Sequence, residues 1–164
     1  MLTKDVRDYA ERSVLCWLAT VGRDNTPNVS PKEIFTIEGD SRFLIANIAS
    51  PMTIRNIRHH PEVCVSFVEV FVQKGYKLKG RADLILPTHS EFSERARPLQ
   101  TLAGELSVRS VIAIDVREVT PIIAPRYRFD PETQESAQIE NAMQTYSVRP
   151  IEDLWDSAPK PATP

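Results

Sequence analysis

At 164 residues and 18.6 kDa, the chain is sized for one domain and short for two. Hydrophobic residues make up 41% and charged residues 26%, which excludes a disordered chain, and no apolar run approaches the ~20 residues of a membrane-spanning helix. A net charge of -2 gives no whole-molecule field suited to nucleic acid. Its distribution is uneven: residues 1–82 hold 12 Lys/Arg against 9 Asp/Glu, and residues 83–164 hold 8 against 13. An anion site is therefore expected in the first half. Charges in Met1–Asp8 stand where a signal peptide would be apolar, so the expected location is cytoplasmic. Cys16 and Cys64 both lie in apolar runs and read as reduced thiols, because a zinc site wants four ligands.

In chain order, the first dozen residues form a short helix capped by Thr3, with Val6, Tyr9 and Ala10 on one face. Ser13–Gly22 is apolar, with aromatic and β-branched residues, and reads as a strand. Arg23–Thr26 supplies a turn, and Pro27–Ile37 reads as a second strand, whose Pro31 must sit at an edge, bulge or bend. Arg42–Ile48 is the third. Ser50 then caps a helix with Pro51 at its first position and Ile54 and Ile57 on one face, ended by Pro61. Glu62–Val72 and Tyr76–Leu86 are strands joined by Gln73–Gly75. Thr88–Leu102 is a helix bent or broken near Pro98, Arg109–Ile123 is the last long strand, and Pro131–Tyr146 is a C-terminal helix. The domain is expected over residues 1–150, followed by a Pro-rich tail over residues 151–164. Tight connections demand antiparallel pairing, and strands apolar on both faces need cover on both sides. A small mainly β barrel that dimerises satisfies both.

Two constellations carry chemistry. In Ala46–Thr53 a strand ends in small polar residues and feeds a helix whose free amides near Met52 and Thr53 point at the loop. Such a start binds phosphate through its N–H groups and dipole, aided by the Ser50 and Thr53 hydroxyls; taken alone, the same residues more often serve as a cap with nothing bound, since Ser-Pro helix starts are common. In Pro27–Lys32, period-2 alternation puts Ser30 and Lys32 on one face, and Lys77 and Lys79 share a face of a later strand. Those lysines are costly unless solvated or paired with an anion. His59 and His60 are adjacent on a helix and point about 100° apart, so they cannot chelate one ion together. There is no G-x-G-x-x-G and no P-loop, and no arrangement of metal ligands.

The segments Leu18–Gly22, Pro27–Lys32, Ile45–Asn47, Ser50–Arg58, Pro61–Val63 and Leu78–Ala82, in this order, resemble the FMN-binding split-barrel superfamily of pyridoxamine 5'-phosphate oxidase-like proteins. The resemblance implies a mainly β fold with peripheral helices, a six-stranded antiparallel split barrel, and a homodimer with FMN at the subunit interface. It places Asn28, Ser30 and Lys32 beside the flavin and Ala46 and Asn47 where the third strand passes it. Ser50 and Thr53 would hold the phosphate, with Lys77 and Lys79 adding positive charge. This chain has Pro51–Met52 where the oxidases carry an Arg-Lys pair, and it lacks their C-terminal Arg-x-His segment. Pyridoxamine phosphate oxidation is therefore not expected. Three uses of the fold stay open: an FMN-dependent oxidoreductase acting by hydride transfer on a small substrate, a non-enzymatic flavin-binding or sensor module, and a degenerate barrel serving as an interaction domain.

Overall fold

A computed structural model describes residues 2–150, so the tail expected over residues 151–164 lies outside the described residues. The Thr3 hydroxyl oxygen accepts from the Val6 amide at 3.5 Å and starts α1, Lys4–Arg12, with Val6 and Ala10 buried. Seven strands follow: β1 Cys16–Val21, β2 Pro27–Lys32, β3 Phe35–Glu38, β4 Arg42–Asn47, β5 Glu62–Glu69, β6 Lys74–Ile85 and β7 Ser110–Ile123. They form one antiparallel sheet in the order β2-β1-β5-β6-β7-β4-β3.

The strand expected over Pro27–Ile37 is in fact two, which raises the count from six to seven. Its halves occupy opposite edges of the sheet: β2 pairs with β1, and β3 pairs with β4. Only Glu33 and Ile34 lie between them, and three residues of extended chain span at most about 11 Å. The two edges therefore come close together and the sheet must curl into a nearly closed barrel, split at this seam. Pro31 sits on the edge strand β2, where its missing N–H costs no ladder bond to a second neighbour.

Inward-facing side chains fill the curl. Leu18, Phe43, Ile45, Val65, Phe67, Leu78, Ile112 and Ile114 are fully buried, and Phe35, Phe43 and Phe67 stack with centroids 5.4 and 5.9 Å apart. Helix α1 packs on this interior, touching β5, β6 and β3. Outside, α3 (Phe92–Ala103) lays Ala96, Leu99 and Ala103 over Leu44, Ala46, Val111 and Ala113. Helix α3 starts later than Thr88 and runs through Pro98 without a break. The turn after β5 falls at residues 70–73 rather than 73–75. The buried Glu69 carboxylate accepts from the Phe71 and Val72 amides at 3.1 and 2.8 Å, which fixes the reversal and leaves Lys74 and Gly75 free to pair in β6. At Gly80 the β6–β7 register shifts, and a Cβ there would lie 2.2 Å from the Asp115 carbonyl oxygen, so glycine is required. Helix α2 is Pro51–His59, α4 is Pro125–Phe129, and α5 is Glu135–Tyr146, four residues later than the sequence suggests. No helix is long and apolar enough to cross a membrane among the described residues.

Candidate functional site

The inward row of β2 consists of Asn28, Ser30 and Lys32, opposite Thr20, Leu18 and Cys16 of β1. This row meets the start of α2. The Lys32 ammonium donates to the Ser30 hydroxyl at 2.8 Å and to the Ser50 hydroxyl at 2.6 Å, and the residue is only 6% exposed. Burial pushes its pKa below the ordinary 10.5. Cys16 supplies no counter-charge: burial pushes its thiol up to about 12, so it stays neutral. A buried ammonium with hydroxyl partners and no carboxylate partner among the described residues is an electrostatically incomplete site.

Ser50 does not serve as the side-chain cap expected of it. Its hydroxyl is committed to Lys32, and α2 has no side-chain cap bond. Its own amide instead donates to Asn47 Oδ1 at 3.2 Å, while Asn47 Nδ2 donates to Ser110 at 2.9 Å. Asn47 thus fixes the loop into α2 from the end of β4. Helix geometry leaves the Met52 and Thr53 amides without intrahelical acceptors. The Thr53 side chain is 1% exposed, inside the fold rather than along the groove. Ala46 faces α3, away from Lys32, and its amide donates to the Ile34 carbonyl at 2.9 Å.

Helix α2 is anchored by buried amide groups. Thr20 Oγ1 accepts from Asn56 Nδ2 at 3.0 Å and from Asn28 Nδ2 at 3.4 Å, joining α2, β1 and β2. Lys77 and Lys79 do not enter this cluster. Their rows run through Ser66, Trp17 and Pro31, and through Cys64, Ala19 and Val29, on the outer face of the sheet. Lys79 is exposed and pairs with Glu118 at 3.1 Å. Cys64, on the same outer face, is half-buried rather than a core thiol, and both cysteines are free.

Beside Ser50 lies an open groove of about 680 Å³, walled by Asn47 to Pro51, by Ile54, Arg55, Arg58 and His59 of α2, and by Arg109. Reasoning from sequence did not single out these arginines as site residues. The spacing Pro51, Ile54, Arg55, Arg58 and His59 was available as one helix face. Arg109 was not, because its place depends on the pairing of β4 with β7 and on its amide donating to the Asn47 carbonyl at 2.9 Å. Among the described residues no group of three or more His, Cys, Asp or Glu could hold a metal ion.

A curled antiparallel sheet with a seam between two edges, one helix packed against its core and another on its outer face defines a split barrel. The chain belongs to the pyridoxamine 5'-phosphate oxidase family, whose model matches residues 2–122. Solved structures of the same fold include HupZ of Group A Streptococcus, at 22% identity over 74% of this chain and 100% of that one, with a TM-score of 0.66. An FMN-binding protein from Syntrophomonas wolfei shares 14% identity over 75% and 87%, with a TM-score of 0.64. The heme storage protein HutZ from Vibrio cholerae shares 14% over 74% and 94%, with a TM-score of 0.59. No curated protein matches the chain.

Proposed function

We propose that the chain is an FMN-binding flavoprotein in which Lys32, Ser30, Ser50 and the first amides of α2 hold the phosphate, acting as an oxidoreductase on a small substrate. The buried Lys32 ammonium carries this reading. Two of its N–H groups go to hydroxyls, and those hydroxyls, acting as acceptors toward lysine, keep their own protons to donate to an anion. A phosphate monoester would complete the charge and meet the helix amides as well. The family and the FMN-binding neighbour support the cofactor.

When bound, FMN supplies hydride acceptance and donation at its N5. The chain's part is binding and orientation. Asn28 and Ser30 run along β2 beside the phosphate locus, and Asn47, held by Ser110, fixes the loop over it. Lys77 and Lys79, on the outer face, reach a flavin only if a second copy packs there, which fits a homodimer with FMN at its interface.

The test is the visible spectrum of the purified protein and the mass of whatever heat releases from it, followed by titration with FMN. Flavin bands, a mass matching FMN and turnover of a reduced nicotinamide with an electron acceptor are expected. Tight FMN without turnover would reduce the reading to a binding module. A Soret band with released haem, or a colourless protein that takes up no FMN, would overturn it.

A further inference from the structure

The groove beyond Ser50 holds more positive charge than a phosphate monoester at Lys32 requires. Pro51, Ile54, Arg55, Arg58 and His59 fall on one face of α2, and Arg109 converges on them from the start of β7. No carboxylate lines the groove among the described residues. Arg7, Arg12, Arg42, Arg81, Arg95 and Arg117 each meet an acid, whereas Arg55, Arg58 and Arg109, like Arg23, Arg97, Arg126 and Arg128, meet none within 4.0 Å among the described residues; what sets the three apart is that they wall one groove together. Position at the last turn of α2 accounts for Arg58 and His59 through the helix dipole. It does not account for Arg55, a like-charged neighbour three residues from Arg58, nor for Arg109, brought in from another element. Like charges at this spacing cost helix stability unless an anion lies between them.

Distance separates this cluster from the phosphate locus. Arg58 lies eight positions beyond Ser50, an axial rise of about 12 Å. The Asn47–Pro51 stretch and the arginines wall one continuous groove, and a phosphate monoester at Ser50 fills only its Asn47–Pro51 end. We infer that Arg55, Arg58 and Arg109 form a second anion site that takes the diphosphate of a nucleotide-type co-substrate, separate from the cofactor phosphate at Lys32 and Ser50. Three guanidinium forks match the charge and the planar oxygen pairs of a diphosphate. This rests on the reading that the Lys32 end holds FMN.

Calorimetric titration of inorganic pyrophosphate into the full chain, with and without FMN, compared with the double variant Arg58→Gln and Arg109→Gln, tests it. Pyrophosphate is expected to bind the FMN-loaded protein without releasing FMN. The double variant should weaken pyrophosphate by about tenfold or more while FMN affinity stays within about twofold. Expulsion of FMN by pyrophosphate, equal binding to the variant, or no binding at all to the FMN-loaded protein would overturn the second site and leave the flavin reading standing. Pyrophosphate binding that the variant loses, in a chain that takes up no FMN, would sustain the diphosphate site and sink only the flavin reading.

Discussion

Lys32 concentrates the electrostatics of the site in one side chain. Replacing it with methionine keeps much of the volume and removes a buried charge that no carboxylate among the described residues offsets. Lys32→Met should leave the thermal stability of the FMN-free protein unchanged or raised, because a buried unpaired ion is a cost. FMN affinity should fall by about 1.5–3 kcal/mol, the range for a hydrogen bond to a charged group. Fluorescence titration and thermal melts read the two quantities separately; an affinity that does not move would remove Lys32 from the phosphate site.

The same residue gives a pH signature. Folding lowers its pKa below 10.5, chiefly through burial, so between the lowered value and 10.5 the unfolded chain binds more protons. Stability contributed by this group therefore rises with pH across that window, and below it the penalty is constant. Wild-type minus Lys32→Met stability should slope upward with pH there in the FMN-free protein, measured by denaturant melts. A flat difference curve would mean that the ammonium is not desolvated. At this scale the sequence was partly legible. Period-2 alternation put Ser30 and Lys32 on one face, because side-chain direction on a strand is local. Local sequence marks Ser50 as a cap because capping is also local, whereas its actual partner lies 18 residues away and exists only once β2 and α2 are packed.

Among the elements, α2 matters most, since it positions Ser50, the free amides and the arginine face together. Its tie to the sheet is the Thr20 hydroxyl, which accepts from Asn56 and Asn28. Thr20→Val keeps the shape and removes the acceptor, leaving the buried Asn56 amide without that bond. The expected cost is about 1–3 kcal/mol of unfolding free energy, with weaker FMN binding as α2 loosens. Denaturant titration and FMN titration of one variant check both, and an unchanged stability would show that water replaces the hydroxyl. Sequence periodicity found most elements but misjudged Pro27–Ile37, where strand texture continues across residues that cross from one edge of the sheet to the other. Nothing local in Glu33 and Ile34 announces a change of neighbour; the pairing of β3 with β4 decides it.

For the whole molecule, the unequal cover of the sheet is the informative feature. Helix α3 seals the outer face of β4 and β7, but the outer face of β1 and β2 leaves Trp17 at 47% and Val29 at 57% exposure beside Pro31. A tryptophan, a valine and a proline in one patch favour a partner surface over solvent. Lys77 and Lys79 extend that face, so a second copy docked there would bring both lysines toward the neighbouring subunit's flavin. Trp17→Glu puts a charge in the middle of the patch without touching the interior, where Leu18 and Cys16 point. Light scattering should give twice 18.6 kDa for the wild type and a single chain for the variant. FMN retention should fall in parallel, because an interface cofactor loses half its walls when the subunits part. A variant that stays dimeric, or a monomer that keeps its flavin undiminished, would move the interface or the cofactor away from this face.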